Sequence, residues 1–137
     1  MTDKAPNSFD RTPLAAAIAN ACKGLVYVSE TDAGIEPFFA EDDGGETAQA
    51  ILKKEFSGEY AEQDFEQFFA RLTADQAWHT PLQKRTVKKF RSLRSLLRSN
   101  LTELSVHRFG RIRIEILVVG RDADRNLAGI RTRSVET

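Results

Sequence analysis

Carboxylates dominate the residues of this sequence that could do chemistry. Glu30, Asp32 and Glu36 fall in one short loop that follows an apolar segment. A loop of this kind mimics the charge of a phosphate group and suits a cationic partner or a hard metal ion. The sequence contains neither a glycine-rich phosphate loop nor a Gly-x-Ser-x-Gly element. None of the carboxylates lies on a recognisable pocket scaffold, so the sequence gives no positive evidence for an enzyme, and we expect no enzymatic activity.

The other candidate ligands do not form a recognisable metal or catalytic motif. His79 and His107 are the only histidines, and no Cys, His or Glu residues stand at zinc-site spacing around them. His107 lies in a predicted strand, where we expect a packed or edge residue. Asp122, Asp124 and Asn126 imitate the start of a calcium loop, but the glycine and glutamate that such a loop needs are missing. We predict a hairpin loop with Asx-type turn bonding instead.

A cationic helix face is the second chemical feature. A helix predicted over 82–100 places four cations on one outer face, Lys84, Lys88, Arg91 and Arg98. Nucleic-acid-binding helices carry such faces, but this segment has no interleaved aromatic residues and no helix-turn-helix pattern. We expect a solvated face, partly neutralised by acidic residues, rather than direct nucleic-acid binding. A nucleic-acid-binding module that uses the basic 84–98 helix is the alternative function.

Charge is distributed unevenly along a chain of zero net charge. Residues 1–80 contain six Lys/Arg and fifteen Asp/Glu, a net charge of −9, whereas residues 81–137 contain fourteen and five, a net charge of +9. Such a split predicts either two faces of opposite sign or a partner that binds one of the two halves. The alternative is that the halves pack together and neutralise each other. A length of 137 residues fits a single domain spanning 1–137, with residues 1–10 loosely ordered.

Cysteine content and hydropathy indicate the compartment. Cys22 is the only cysteine, so no internal disulfide can form, and we expect a small core side chain in a reducing compartment. The start of the chain lacks the pattern of a signal peptide, and no apolar run approaches the roughly 20 residues that span a bilayer. We therefore expect a cytoplasmic protein without membrane association, monomeric when free.

Several local signals predict the elements that would position these residues. Thr12 as N-cap, Pro13 in the first turn and Gly24 after the end predict a helix over 11–23. Asp64 is typical of the cap of a helix with an aromatic stripe. Further helices are predicted from about 47 to before 58 and over 82–100, with short strands at 25–29 and 38–40. Trp78 lies in a polar loop between two helices, where the sequence permits either burial or display.

The C-terminal third predicts a three-stranded antiparallel meander from Leu104 to Thr137. Its middle strand starts at Arg111 with alternating polar and apolar residues and ends in an unbroken apolar run, which is typical of a strand that becomes buried on both faces. Phe109-Gly110 predicts the preceding tight turn. The third strand begins at Leu127 and runs to the end of the sequence, so the terminal carboxylate of Thr137 is expected to be held in place.

Five segments together resemble the nuclease A inhibitor family, which comprises small cytosolic inhibitors of a secreted, sugar-non-specific, metal-dependent endonuclease that cuts DNA and RNA. The resemblance runs from about Leu14 to the last residue and is loose between 40 and 60. The segments are Gly24-Leu-Val-Tyr-Val-Ser-Glu30, Phe38, Gln76-Ala-Trp78, Arg98-Ser-Asn-Leu101 and Asn126-Leu-Ala-Gly-Ile-Arg-Thr-Arg-Ser-Val-Glu-Thr137.

This resemblance implies an α+β fold, a three-layer α-β-α sandwich with a central, mostly antiparallel sheet ending in the C-terminal meander. It also implies a mode of action. The terminal carboxylate of Thr137 would reach the catalytic metal of the nuclease in the complex, and Glu30 would pair with an arginine of its active site. Gln76 and Trp78 would add contacts around them. The protein would need no cofactor of its own, because the bridging metal belongs to the nuclease.

Overall fold

Eleven helices and strands make up the part of the chain that the computed structural model describes, residues 6–74 and 76–137, with side chains from residue 13 onward. In chain order they are α1 (Pro6–Cys22), β1 (Val26–Val28), β2 (Asp32–Gly34), β3 (Glu36–Ala40), α2 (Ala48–Lys53), β4 (Tyr60–Gln63), α3 (Phe65–Leu72), α4 (Pro81–Asn100), β5 (Thr102–Phe109), β6 (Arg113–Arg121) and β7 (Leu127–Val135).

The predicted meander forms the centre of a five-stranded sheet. The strand order is β3-β7-β6-β5-β4, and every neighbouring pair is antiparallel. Strands β5, β6 and β7 follow one another in the chain and in the sheet, which confirms the C-terminal meander. Strands β1 and β2 form a separate two-stranded hairpin.

Alternate residues of the sheet point to two cores, one on each face. On one face Val106, Ile116 and Ile130 pack against α1, α3, α4 and the β1–β2 hairpin. On the other, Leu117 and Val119 pack against α2 and the segment that follows it. Helices thus cover both faces of an antiparallel sheet, which confirms the α+β class and the three-layer arrangement.

Side-chain caps begin three helices, and the sequence indicated the starts near Thr47 and Asp64, whereas α4 begins at Pro81, one residue before the predicted start. Thr47 accepts a hydrogen bond from the N–H of Ala50 at 3.1 Å, and Asp64 accepts one from the N–H of Gln67 at 3.0 Å. Thr80 forms a reciprocal capping box with Gln83 ahead of α4. These side chains satisfy backbone N–H groups that a helix start leaves unpaired.

The first helix begins earlier than predicted. α1 starts at Pro6, so Thr12 does not cap it and Pro13 lies inside it. Proline is favoured in a first turn but is not confined to it, and here that preference pointed to the wrong start. Of the stretch 1–10 that was expected to be loosely ordered, residues 6–10 belong to α1 and residues 1–5 lie outside the described residues.

Two strands were not predicted. The segment 30–37, expected to be a loop, contains β2, and residues 60–63 form β4 at one edge of the sheet. β2 consists of Asp-Ala-Gly, residues that disfavour strands, so only its pairing with β1 makes it one. β4 exists through pairing with β5, more than 40 residues away in sequence.

The loop between β6 and β7 is built as an Asx-type turn, as predicted. The Asp122 carboxylate accepts the N–H groups of Asp124 at 2.9 Å and Asn126 at 3.0 Å. Asn126 in turn accepts the N–H of Asp42 at 2.9 Å, which ties this loop to the segment after β3. The residues that resembled a calcium loop therefore have a structural role in joining two parts of the fold.

Gly129 permits the close approach of β6 and β7. A Cβ atom at this position would lie 1.9 Å from the carbonyl oxygen of Val118 on the neighbouring strand. The backbone cannot move away without breaking the register that pairs Val119 with Gly129. The glycine is thus required by packing in the middle of the sheet.

Candidate functional site

The site is formed where the first and the last strand end. Ser29 and Glu30 follow β1 directly, and β7 stops two residues before the C-terminus. The Ser29 hydroxyl oxygen accepts the N–H of Val135 at 3.0 Å, and the Glu30 N–H donates to the carbonyl oxygen of Val135 at 3.3 Å. Backbone and side-chain bonds thus fasten the end of the β1–β2 hairpin to the end of the main sheet.

Glu30 and Thr137 contact each other directly. The Glu30 carboxylate accepts the backbone N–H of Thr137 at 2.7 Å and the Thr137 hydroxyl at 2.8 and 2.9 Å. We call this contact the Glu30–Thr137 clamp. Its bonds engage the amide and the hydroxyl of Thr137, and none of them uses the terminal carboxylate. The last residue of the chain is therefore fixed by a side chain 107 positions earlier.

The clamp makes Glu30 a more stable anion. The Thr137 N–H lowers the pKa of the Glu30 carboxyl most, and the Thr137 hydroxyl adds to this effect. Both donors bond to the charged form, whereas the nearby Glu136 carboxylate acts in the opposite direction. Glu30 is fully exposed, so water screens these effects, but the group is ionised at neutral pH.

A second set of contacts fixes the penultimate residue. The Glu136 carboxylate accepts hydrogen bonds from Ser134 Oγ at 2.7 Å and from the Arg108 guanidinium at 2.5 Å, and these two groups lower its pKa. The Glu136 N–H donates to the carbonyl oxygen of Ile112 at 2.9 Å. The C-terminus is thus held at both of its last two residues.

An open cleft of about 490 Å³ lies beside the clamp. Arg71 of α3 enters it, donates to the Tyr27 hydroxyl at 2.6 Å and lies over the Tyr27 ring at 5.3 Å. The carboxylate-bearing residues Glu30, Glu136 and Thr137 line the cleft, and two arginines, Arg71 and Arg108, balance part of their charge. The residues that line it are Tyr27, Val28, Ser29, Glu30, Gln63, Phe68, Arg71, Arg108, Ser134, Val135, Glu136 and Thr137.

Gln76 and Trp78 lie apart from the clamp, in the loop between α3 and α4. The Gln76 carbonyl oxygen accepts the N–H of His79 at 3.0 Å, which closes a tight turn. Trp78 is displayed at this turn with 72% of its surface exposed, and its ring meets that of His79 edge-on at 4.6 Å. Within residues 6–74 and 76–137, neither Gln76 nor Trp78 lines the cleft or bonds to the clamp.

The other residues considered from the sequence have structural roles. Cys22 is buried, and this burial raises the pKa of its thiol to about 11, which confirms a core side chain. His107 is buried between Ser105 and Tyr60, each 2.7 Å from one of its ring nitrogens, which confirms a packed residue. In the described part of the chain, no three His, Cys, Asp or Glu side chains form a group that could hold a metal ion.

Sequence reasoning did not find the arginines of the cleft. Arg108 reaches Glu136 only because β5, β6 and β7 pair in the observed register, and Arg71 arrives from α3. No local pattern in the sequence indicates either contact. Ser29 did have a signal, since it stands directly before Glu30 at the end of a predicted strand.

Comparison with known proteins places this geometry in a family. A family model for nuclease A inhibitor-like protein matches residues 12–137. This match covers the clamp, the cleft and the loop with Trp78. A search of curated proteins finds no match to this sequence. No helix in the described residues is both long enough and apolar enough to cross a membrane. The chain belongs to the nuclease A inhibitor-like protein family, and this membership supports a general role as a nuclease inhibitor.

Proposed function

We propose that this protein inhibits a sugar-non-specific, metal-dependent endonuclease that cuts DNA and RNA. It would occlude the active site with the acidic segment around Glu30 and place the terminal carboxylate of Thr137 on the catalytic metal. The observation that carries this proposal is the clamp, in which Glu30 holds the last residue through its N–H and hydroxyl. Glu30 and the C-terminal residue Thr137, on which the proposed mechanism depends, are thus in contact.

The chemistry of a nuclease active site suits this arrangement. Such a site holds phosphate oxygens beside a hard divalent metal, and cationic side chains balance the phosphate charge. The terminal carboxylate supplies an oxygen ligand for the metal, and Glu30 supplies an anion for an arginine. The metal belongs to the nuclease, so the inhibitor needs no cofactor and performs no catalytic step of its own.

Glu30 can serve both the clamp and an arginine of the nuclease. A carboxylate offers roughly four acceptor positions on its two oxygens. The clamp uses these oxygens for one N–H and one hydroxyl of Thr137. The remaining acceptor capacity is enough for a guanidinium group that approaches from solvent, since Glu30 is exposed.

Fixing the terminus before binding favours a tight complex. A free chain end loses conformational entropy when it enters an active site, at a cost of roughly 1–2 kcal/mol per residue ordered. Here Glu136 and Thr137 are already held by Arg108 and Glu30. Trp78 and Gln76 are exposed and would contact the rim of the nuclease as an amphipathic anchor and a hydrogen-bonding group.

The test is an inhibition titration against a panel of metal-dependent, sugar-non-specific endonucleases. The native protein should inhibit at least one of them, and Glu30→Gln should weaken that inhibition at least roughly thirtyfold because it strands a cation of the nuclease. Glu55→Gln is the matched control, since Glu55 is an exposed glutamate after α2 on the opposite face of the sheet. It should inhibit like the native protein.

Two results would contradict the proposal. One is a native protein that leaves every endonuclease of the panel fully active. The other is equal loss of inhibition in Glu30→Gln and Glu55→Gln, because this would reflect overall charge instead of the clamp. We expect the free protein to be monomeric and cytoplasmic, and sedimentation at micromolar concentration together with cell fractionation tests these two points.

A further inference from the structure

Helix α4 carries a cationic face that the proposed inhibitor mechanism does not use. Its sequence from Pro81 to Asn100 contains seven Lys/Arg and no Asp/Glu. The four residues of one outer row, which we call the α4 stripe, are all exposed; they are Lys84, Lys88, Arg91 and Arg98. No α4 residue lines the cleft beside the clamp. The stripe is thus separate from the cleft and the clamp, and its N-terminal end follows the loop that carries Gln76 and Trp78.

The carboxylates that the structure describes neutralise little of this stripe. In the described part of the chain, Arg98 forms the single ion pair that the structure records for the stripe, with Glu66 at 3.3 Å. Several carboxylates of the first half pair elsewhere. These ion pairs are Asp42 with Arg121, Glu46 with Lys54 and Glu36 with Arg131. Among the described residues, neutralisation of the stripe by the acidic half is therefore small, and this favours a polyanionic partner.

The dimensions of the stripe fit a nucleic-acid backbone. Residues 84 and 98 are 14 positions apart, so the stripe is about 21 Å long at 1.5 Å per residue. Duplex DNA rises about 3.4 Å per base pair, so this length covers roughly six base pairs of phosphates. Binding through phosphates needs neither an aromatic platform nor a helix-turn-helix pattern. The absence of both features therefore argues against reading of the base sequence and leaves contact with the backbone open.

We propose that the α4 stripe binds the phosphodiester backbone of nucleic acid without sequence specificity. This goes beyond the proposed inhibition, because the protein would bind nucleic acid through a second surface. Nucleic acid is the substrate of the endonuclease that the protein would inhibit. The inhibitor would then be concentrated on nucleic acid that the endonuclease attacks. A nucleic-acid backbone presents its phosphates in a regular row, whereas an acidic protein surface presents its carboxylates less regularly. A row of four cations with few ion pairs therefore favours nucleic acid as the partner.

The test is fluorescence anisotropy of a labelled 20-base-pair DNA duplex of mixed sequence, with no nuclease present. Four phosphate contacts predict a slope of about −3.6 in log K against log salt, so affinity should fall about 150-fold between 50 and 200 mM salt. Lys84→Gln/Lys88→Gln should reduce the slope by about two units. Both residues are exposed on the helix surface, so the double variant should keep its unfolding temperature.

Arg111→Gln/Arg113→Gln is the matched control. It removes the same charge from exposed positions in the β5–β6 turn and at the start of β6, outside α4, and should bind DNA like the native protein. The proposal is overturned by no binding at 50 mM salt, or by equal weakening in the control variant. Equal affinity for polyglutamate of matched length also overturns it, in favour of an acidic protein partner. Since the assay contains no nuclease, its failure would leave the inhibitor proposal standing.

Discussion

Extending the chain by one alanine after Thr137 separates the role of the terminal carboxylate from that of the clamp. The clamp bonds come from the Thr137 N–H and hydroxyl, at 2.7 to 2.9 Å from Glu30, and both groups persist in the extended protein. The carboxylate of Thr137, however, becomes a neutral amide carbonyl. The new carboxylate lies about 3.3 Å further along the chain.

This displacement is large compared with what a metal site tolerates. Oxygen ligands of Mg²⁺ lie near 2.1 Å, and the ion demands nearly octahedral geometry. Neither the amide carbonyl nor the displaced carboxylate can reproduce the original ligand without moving the clamp. We therefore predict that the extension weakens inhibition at least tenfold, about 1.4 kcal/mol of binding free energy. Thermal unfolding should be unchanged, because both clamp bonds and the anchoring of Glu136 remain.

The assay is titration of a sensitive endonuclease with native, extended and Thr137→Ser proteins. Thr137→Ser keeps the hydroxyl, the N–H and the carboxylate, so it should inhibit within about twofold of the native protein. Equal potency of the extended and native proteins would refute the reasoning and show that the terminus is a bystander. Loss of potency together with a lowered unfolding temperature would point to a disturbed fold instead.

Three further predictions concern the fold and its response to pH. The pKa of Glu30, followed by NMR of its side-chain carboxyl carbon, should lie below 4.5 and rise toward that value in Thr137→Ala, which loses the hydroxyl donor. The pKa of Glu30 is lower in the folded protein than in the unfolded chain, so the clamp stabilises the fold above pH 4.5. This stabilisation is lost as the pH falls through the pKa of Glu30 in the folded protein. Burial lowers the pKa of His107 below 6.5, so as the pH falls the imidazole is protonated in the unfolded chain before it is protonated in the folded protein. The free energy of unfolding, measured by urea titration, should therefore decrease as the pH falls below 6.5. In a His107→Gln variant it should depend less on pH. Gly129→Ala should lower the free energy of unfolding by about 1–3 kcal/mol or more in urea titrations, because its Cβ would meet the Val118 carbonyl at 1.9 Å.

Elements with local signals could be predicted from the sequence. The start of α3 follows from Asp64, whose carboxylate accepts the N–H of Gln67 three residues on. The β6–β7 loop follows from Asp122, which bonds to its own backbone two and four residues on. In each case the bond that decides the structure joins residues close in sequence, so the residue types alone indicate it.

Elements that depend on distant pairing could not be predicted. β4 is a strand only because β5 offers it a partner, and its residues alternate too weakly to indicate burial. The same holds for the contact of Arg108 with Glu136, which spans 28 residues and requires the observed strand register. Propensity carries no information about which distant segments will meet.

The roles of Glu30 and Thr137 toward a nuclease are implied by the family resemblance. Nothing in the types or spacing of Glu30 and Thr137 indicates that they touch. The structure brings this pair together and leaves Trp78 exposed in another loop. Their roles toward a nuclease, and those of Gln76, stay predictions.

Paramagnetic NMR tests the central claim, that the Thr137 carboxylate reaches the nuclease metal, most directly. The inhibitor would carry a ¹³C label in its terminal carboxylate and be mixed with an endonuclease loaded first with Mg²⁺ and then with Mn²⁺, which accepts the same oxygen ligands. We predict a sharp carboxylate signal in the Mg²⁺ complex and its disappearance in the Mn²⁺ complex. A signal that stays sharp with Mn²⁺, while the complex remains intact and inhibited, would contradict the account.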